Sequence, residues 1–109
     1  VKNETEVKAL KTVPREKAFY FFTSIGNYTG ESASSLKEFM EKINEVNVKS
    51  LEFHLYRGDF EKWINEVLED KKLANEISRL RGLNYSGYTL RERLYNVVAK
   101  HYEELIKSL

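Results

Sequence analysis

Apolar positions along this chain recur at helical spacing in several separate blocks, and polar cap residues stand at the head of most of them. Leu36, Phe39, Met40 and Ile43 follow one another three or four apart, which predicts an amphipathic helix ending near Asn44 to Asn47. Ser35-Leu36-Lys37-Glu38 opens it as a capping box, in which the serine hydroxyl and the glutamate three residues on satisfy free backbone N–H groups. Phe60, Trp63, Ile64, Val67 and Leu68 form the cleanest apolar face in the chain, with Asp59 expected as its N-cap. Asp70 is expected to cap a further helix carrying Leu73, Ala74, Ile77 and Leu80, closed by Gly82. After a loop over residues 83–88, Thr89-Leu90-Arg91-Glu92 repeats the capping-box form. It is expected to open a long last helix with Leu90, Leu94, Val97, Val98, His101, Leu105 and Leu109 on one face.

Two segments fit more than one reading. Val48, Leu51 and Leu55 are helically spaced while Leu51, Phe53 and Leu55 alternate; helix is preferred. Ala18-Phe19-Tyr20-Phe21-Phe22-Thr23 is an apolar run short enough for a buried strand, yet it follows a proline that suits a helix start. The glycines and asparagine of Gly26-Asn27-Tyr28-Thr29-Gly30 read as a breaker. Residues 1–13 are expected to form a flexible arm, and residues 14–109 a single, mostly α domain. The expected architecture is a bundle of about five helices, with one short strand near residues 18–23 as an alternative to helical turns.

Composition narrows the class. A chain of 109 residues is one domain's length and needs no staple to fold, and the absence of cysteine excludes thiol catalysis, zinc fingers and disulfide scaffolds. No apolar stretch is long enough to span a bilayer, so a soluble, cytoplasmic domain without membrane contact is expected. A start at Val1 rather than methionine reads as a piece of something longer, with an attached domain or protein partner outside it. Eighteen basic residues against seventeen acidic ones leave a net charge of +1, which supplies no global field for nucleic acid. Charge carried mostly by Lys and Glu, with no Gln, leans toward a thermophilic source, and eight asparagines weigh against it.

The densest polar group is His54, Arg57 and Asp59, with Glu52 and Tyr56 beside it. Imidazole, guanidinium and carboxylate within six residues suit proton transfer or anion binding. The plainer account makes Asp59 a cap, Arg57 an ion-pair partner and His54 a hydrogen-bonding residue at a helix junction. Thr29, Gly30 and Ser32, followed by Ser34 and Ser35, put hydroxyls and a glycine ahead of a helix start, as anion sites do; the lysine of a phosphate-binding loop is missing, and an ordinary capped turn is preferred. Arg79, Arg81, Arg91 and Arg93, interleaved with Tyr85, Tyr88 and Tyr95, form a candidate basic patch, weighed against an ion-paired surface with Glu76, Glu92, Glu103 and Glu104. His101 falls on an apolar face, where a neutral core residue bonded to a carbonyl or tyrosine hydroxyl is expected. Two histidines without paired spacing predict no metal site, and no cofactor motif is present.

The ordered motifs Phe19-Tyr20-Phe21, Thr29-Gly30-x-x-Ala33-x-x-Leu36, Ser50-Leu51-x-x-His54, Asp59-Phe60-x-x-Trp63 and Leu68-x-Asp70-x-x-Leu73-Ala74 resemble a family of archaeal and bacterial domains of unknown function. The resemblance implies a helical domain that stands alone or is attached to larger proteins, some of them sugar-metabolising, and it implies no catalytic residue or cofactor. The connection between His54 and Asp59 is shorter here than in many such domains. The functional expectation is therefore an accessory or binding module for a protein partner or small anion. The alternatives are a small enzyme using His54 as acid or base, and nucleic-acid binding through the arginine cluster, the less favoured partner class.

Overall fold

The computed structural model describes residues 8–109. A 3-10 turn, Arg15–Lys17, leads into strand β1 (Phe19–Ser24) and strand β2 (Asn27–Ala33), which pair antiparallel as a two-stranded sheet. Five helices follow: α1 (Leu36–Ile43), α2 (Val48–Arg57), α3 (Asp59–Glu66), α4 (Lys71–Arg81) and α5 (Gly87–Lys107). The mostly helical architecture, with five helices after the hairpin among the described residues, is as expected, and the aromatic run is the strand β1. The Cα radius of gyration of 13.1 Å is that of one globular unit of this length, about 13 Å.

The breaker expected at residues 26–30 is corrected: only Ile25 and Gly26 turn the chain, with Gly26 at φ +82°, and Asn27 onward forms β2. Pairing runs Tyr20 to Ser32 and Phe22 to Tyr28, so Phe21 alone faces Thr29, Gly30 and Glu31 and the hairpin bulges there. Thr29 staples the bulge. Its hydroxyl donates to Phe21 O at 2.7 Å and accepts from Glu31 N–H at 3.1 Å, replacing ladder bonds, while Gly30 takes φ +87°. Glu31 reaches α1 through Lys42 at 2.8 Å.

One face of the hairpin is packed down. Phe19 and Phe21 are buried with Phe39 of α1 and Phe60 and Trp63 of α3, while the alternate Tyr20 and Phe22 remain half-buried on the outer face, as the period of two requires. β1 packs on α2, and β2 on α1. α5 lies across α1, α2 and α4 and closes the core with Leu90, Leu94, Val98 and Leu105. Ahead of the hairpin, Ala9 and Val13 are also buried, and Val13 N–H donates to Ser34 O at 2.7 Å.

Caps place the helix starts. Ser35 Oγ accepts from Glu38 N–H at 3.2 Å, and the Glu38 carboxylate takes Ser34 N–H at 2.7 Å, one residue before the cap. Asp70 caps α4 through Leu73 N–H. Two expected starts differ. α3 is preceded by Gly58, with no side-chain cap, and Asp59 is its first residue with its carboxylate turned elsewhere. α5 begins at Gly87, two residues before the Thr89 box, because Gly87 N–H donates to Glu52 Oε2 of α2 at 2.8 Å, a cap supplied from another helix.

Gly58 ends α2 and starts α3 at φ +78°. A Cβ there would stand 3.4 Å from Glu61 Oε1 and force an L-residue into the left-handed region. Gly58→Ala is expected to cost about 1–2 kcal/mol in urea denaturation; an unchanged midpoint would show that the junction relaxes freely.

Candidate functional site

The α2–α3 junction and the hairpin tip bound a cleft of about 430 Å³, within the usual range for small-molecule sites, about 300–1,000 Å³. Phe22 and Phe53 give it apolar walls, Ser24, Ile25 and Gly26 form the hairpin side, and Arg57 with Asp59 forms the helical side. Ile25 is 85% exposed at the tip of the hairpin.

His54 sits at the base of this cleft, 4% exposed, with the rings of Phe19, Phe21, Phe22, Phe53 and Phe60 around it. Phe22 N–H donates to His54 Nε2 at 2.8 Å, so Nε2 carries the lone pair and Nδ1 carries the proton. That proton is donated to Asp59 Oδ2 at 2.8 Å. The tautomer follows from the backbone donor, since two protons cannot occupy one contact. Burial pushes the imidazole below its ordinary range and Arg57 adds to this; the bond to Asp59 works the other way and is outweighed. His54 is thus a neutral strut that ties β1 to α2 and α3.

Arg57 lies with its guanidinium carbon 4.7 Å from the Phe53 ring centroid and its Nε 3.6 Å from Asp59 Oδ2. Its side chain is 51% exposed, and its terminal nitrogens make no hydrogen bond to the described residues. The Ser24 hydroxyl accepts from the Asn27 amide and keeps its own proton to give. The cleft mouth therefore offers the donors of Arg57 and Ser24 on an apolar bed, with the Asp59 carboxylate held to the Arg57 Nε side. Such a set suits an anionic head group attached to an apolar body.

His54, Arg57 and Asp59, singled out in the sequence, are brought together here. Thr29, Gly30 and Ser32 lie on β2 rather than in a turn at the helix start, and the Thr29 hydroxyl is occupied within the bulge. The arginines are dispersed. Arg81 pairs with Glu61 at 3.0 Å, and Arg93 lies over Tyr85 at 5.3 Å. Arg91 donates to the carbonyls of Ile43 and Val46 at the end of α1 and lies over Tyr88, while Arg79 borders a separate surface recess with Glu76 and Glu104. What sequence reading missed is the hairpin side of the cleft, namely Phe22, Ser24 and Ile25; the Gly26-Asn27 pair directly after the aromatic run, a common hairpin turn, was the available signal.

His101 is not bonded to a carbonyl or tyrosine hydroxyl, as expected, but to Asp70: Nε2 stands 2.6 Å from Oδ2, with both side chains buried. The pair fastens α4 to α5 away from the cleft. Among the described residues no group of three His, Asp or Glu side chains could hold a metal ion, and no helix is long and apolar enough to cross a membrane.

Fold and cleft together define a mostly helical domain with a hairpin-walled recess of ligand size. The chain belongs to the family of unknown function DUF5752, whose pattern matches residues 14–108. No curated protein and no solved structure matches it.

Proposed function

We propose that this domain is a binding module whose cleft between the hairpin tip and the α2–α3 junction takes a small anion with an apolar body. The observation that carries this is the state of Arg57: a half-exposed guanidinium laid on an aromatic ring, with its terminal donors uncommitted among the described residues, at the mouth of an apolar recess. Carboxylate and phosphate both match the two parallel donors of that group. Acid–base chemistry at His54 is the weaker reading, because both ring nitrogens are engaged and neither faces the cleft with a free lone pair or proton. Nucleic-acid binding through Arg79, Arg81, Arg91 and Arg93 is also weaker, because Arg81 and Arg91 are held by protein groups and residues two apart on a helix, as 79 and 81 or 91 and 93, diverge in direction.

Benzoate is a suitable first probe, with benzyl alcohol as its uncharged counterpart. In a backbone amide NMR titration, benzoate is expected to shift Phe22, Ser24, Gly26 and Arg57, and benzyl alcohol to bind more weakly. Arg57→Gln should lower benzoate affinity about tenfold or more, the worth of one charged hydrogen-bonding group. Equal response to both probes, or shifts confined to Arg79 and Arg93, would reject the assignment.

A further inference from the structure

We infer that His54 is an acid-sensitive latch: its protonation releases β1 from α2 and so dismantles the hairpin wall of the cleft. Phe22 N–H points at Nε2 because the ladder is irregular there, with register shifts on either side of Phe22. The strand is held to α2 by a polar bond that exists only while Nε2 has no proton. Adding one sets two N–H donors against each other at 2.8 Å, among aromatic rings that offer neither of them another acceptor. The other ring nitrogen gives no relief, since Nδ1 is a donor to Asp59 in both states.

The charged groups acting on the ring are Asp59, the first residue of α3, which favours the imidazolium, and Arg57 on its own helix, which opposes it. Strand β1 and the buried Phe60 of α3 present only aromatic rings and the Phe22 amide. Burial tips the balance toward the neutral form, so the folded value lies below 6.5. The sign follows: the folded state with the latch closed binds fewer protons than the opened one. Its closure is full above 6.5 and is lost as the pH falls through the folded value. Phe22 lies three residues before Ile25 in the tip that walls the cleft, so opening of the latch displaces the apolar side of the site.

The test needs no ligand for its first arm. On uniformly 15N-labelled protein taken from pH 8 to pH 4.5, the Phe22 amide and the His54 ring nitrogens should shift with one common midpoint. Phe22 exchange protection, corrected for intrinsic rates, should fall by up to about tenfold per pH unit between the open and closed pKa values. Leu94 and Val98 amides in α5 should stay protected. His54→Gln, whose side-chain oxygen can accept from Phe22 N–H without titrating, should remove the transition. A Phe22 amide that ignores His54 titration, loss of protection at Leu94 together with Phe22, or the same transition in His54→Gln would each overturn the latch.

The coupling of the latch to ligand release rests on the anion-binding reading, and a second arm separates the two. If benzoate binds the closed cleft, linkage requires it to lower the His54 midpoint. A transition that benzoate does not move leaves the latch standing and removes the proposed ligand class.

Discussion

Asp70→Ala is expected to destabilise the domain by about 2–4 kcal/mol, the loss of a helix cap together with that of a hydrogen bond to a buried imidazole. The carboxylate has two duties at a position 5% exposed. Oδ1 accepts Leu73 N–H at 3.1 Å and so caps α4, and Oδ2 holds His101 Nε2 at 2.6 Å across to α5. Its removal orphans a helix-start donor and a buried imidazole together. His101 has no second bond to fall back on among the described residues, where its Nδ1 makes no hydrogen bond and the Glu76 carboxylate is 3.8 Å away. Chemical denaturation at pH 7 checks the loss; a cost under about 1 kcal/mol would mean that α4 and α5 are held by packing alone.

The same carboxylate has a pH signature. Burial alone would raise its pKa, but the bonds from His101 and Leu73 N–H and the charges of His101 and Lys72 outweigh it, so the folded value lies below the ordinary 3.8. A depressed carboxylate contributes stability that is complete above its unfolded pKa and is lost as the pH falls through the folded one. The acid limb from this pair therefore lies below about pH 4, beneath the region where His54 begins to titrate. Asp70→Asn should flatten the lower limb and leave the upper one in place.

Phe60→Ala is expected to rival Asp70→Ala, at about 3–5 kcal/mol, the usual cost of emptying a buried phenylalanine site. The ring is fully buried with Phe19 at 5.1 Å, Phe39 at 5.2 Å and His54 at 5.6 Å between centroids, so it joins β1, α1, α2 and α3. Set against a typical total of about 5–15 kcal/mol, either substitution removes a large share of the stability. Phe60→Ala also opens one wall of the box that keeps His54 neutral, so its latch transition should move up toward 6.5. A lower denaturation midpoint at unchanged slope is the expected reading. A loss below about 1 kcal/mol would show that the hairpin and α3 repack around the gap.

Most of the helical architecture was legible from local signals. The stripes Leu36, Phe39, Ile43 and Phe60, Trp63, Ile64 are buried, and Ser35 and Asp70 cap the helices assigned to them. The alternatives at Val48–Arg57 resolve to helix, where Asn47 caps through Lys49 N–H and Gly58 closes in the left-handed region. β2 was not legible, because Asn-Tyr-Thr-Gly-Glu-Ser-Ala has little intrinsic strand preference and becomes a strand by pairing with β1 and by the Thr29 staple. Asp59 reads as a cap from its neighbours, yet its carboxylate has a stronger partner in the donor proton of His54.

By itself the sequence determined where the helices lie and which faces they bury, since the 3.6-residue period and a cap's reach to its own backbone act within one turn. It also brought His54, Arg57 and Asp59 within reach of one another across a single glycine junction. The tertiary structure alone decided what those groups do. His54 meets Phe22 N–H from 32 residues away, Asp70 meets His101 from 31, and Glu52 starts α5 from 35. Pairings at that separation form only when packing has brought the elements together, and no local pattern of residues records them.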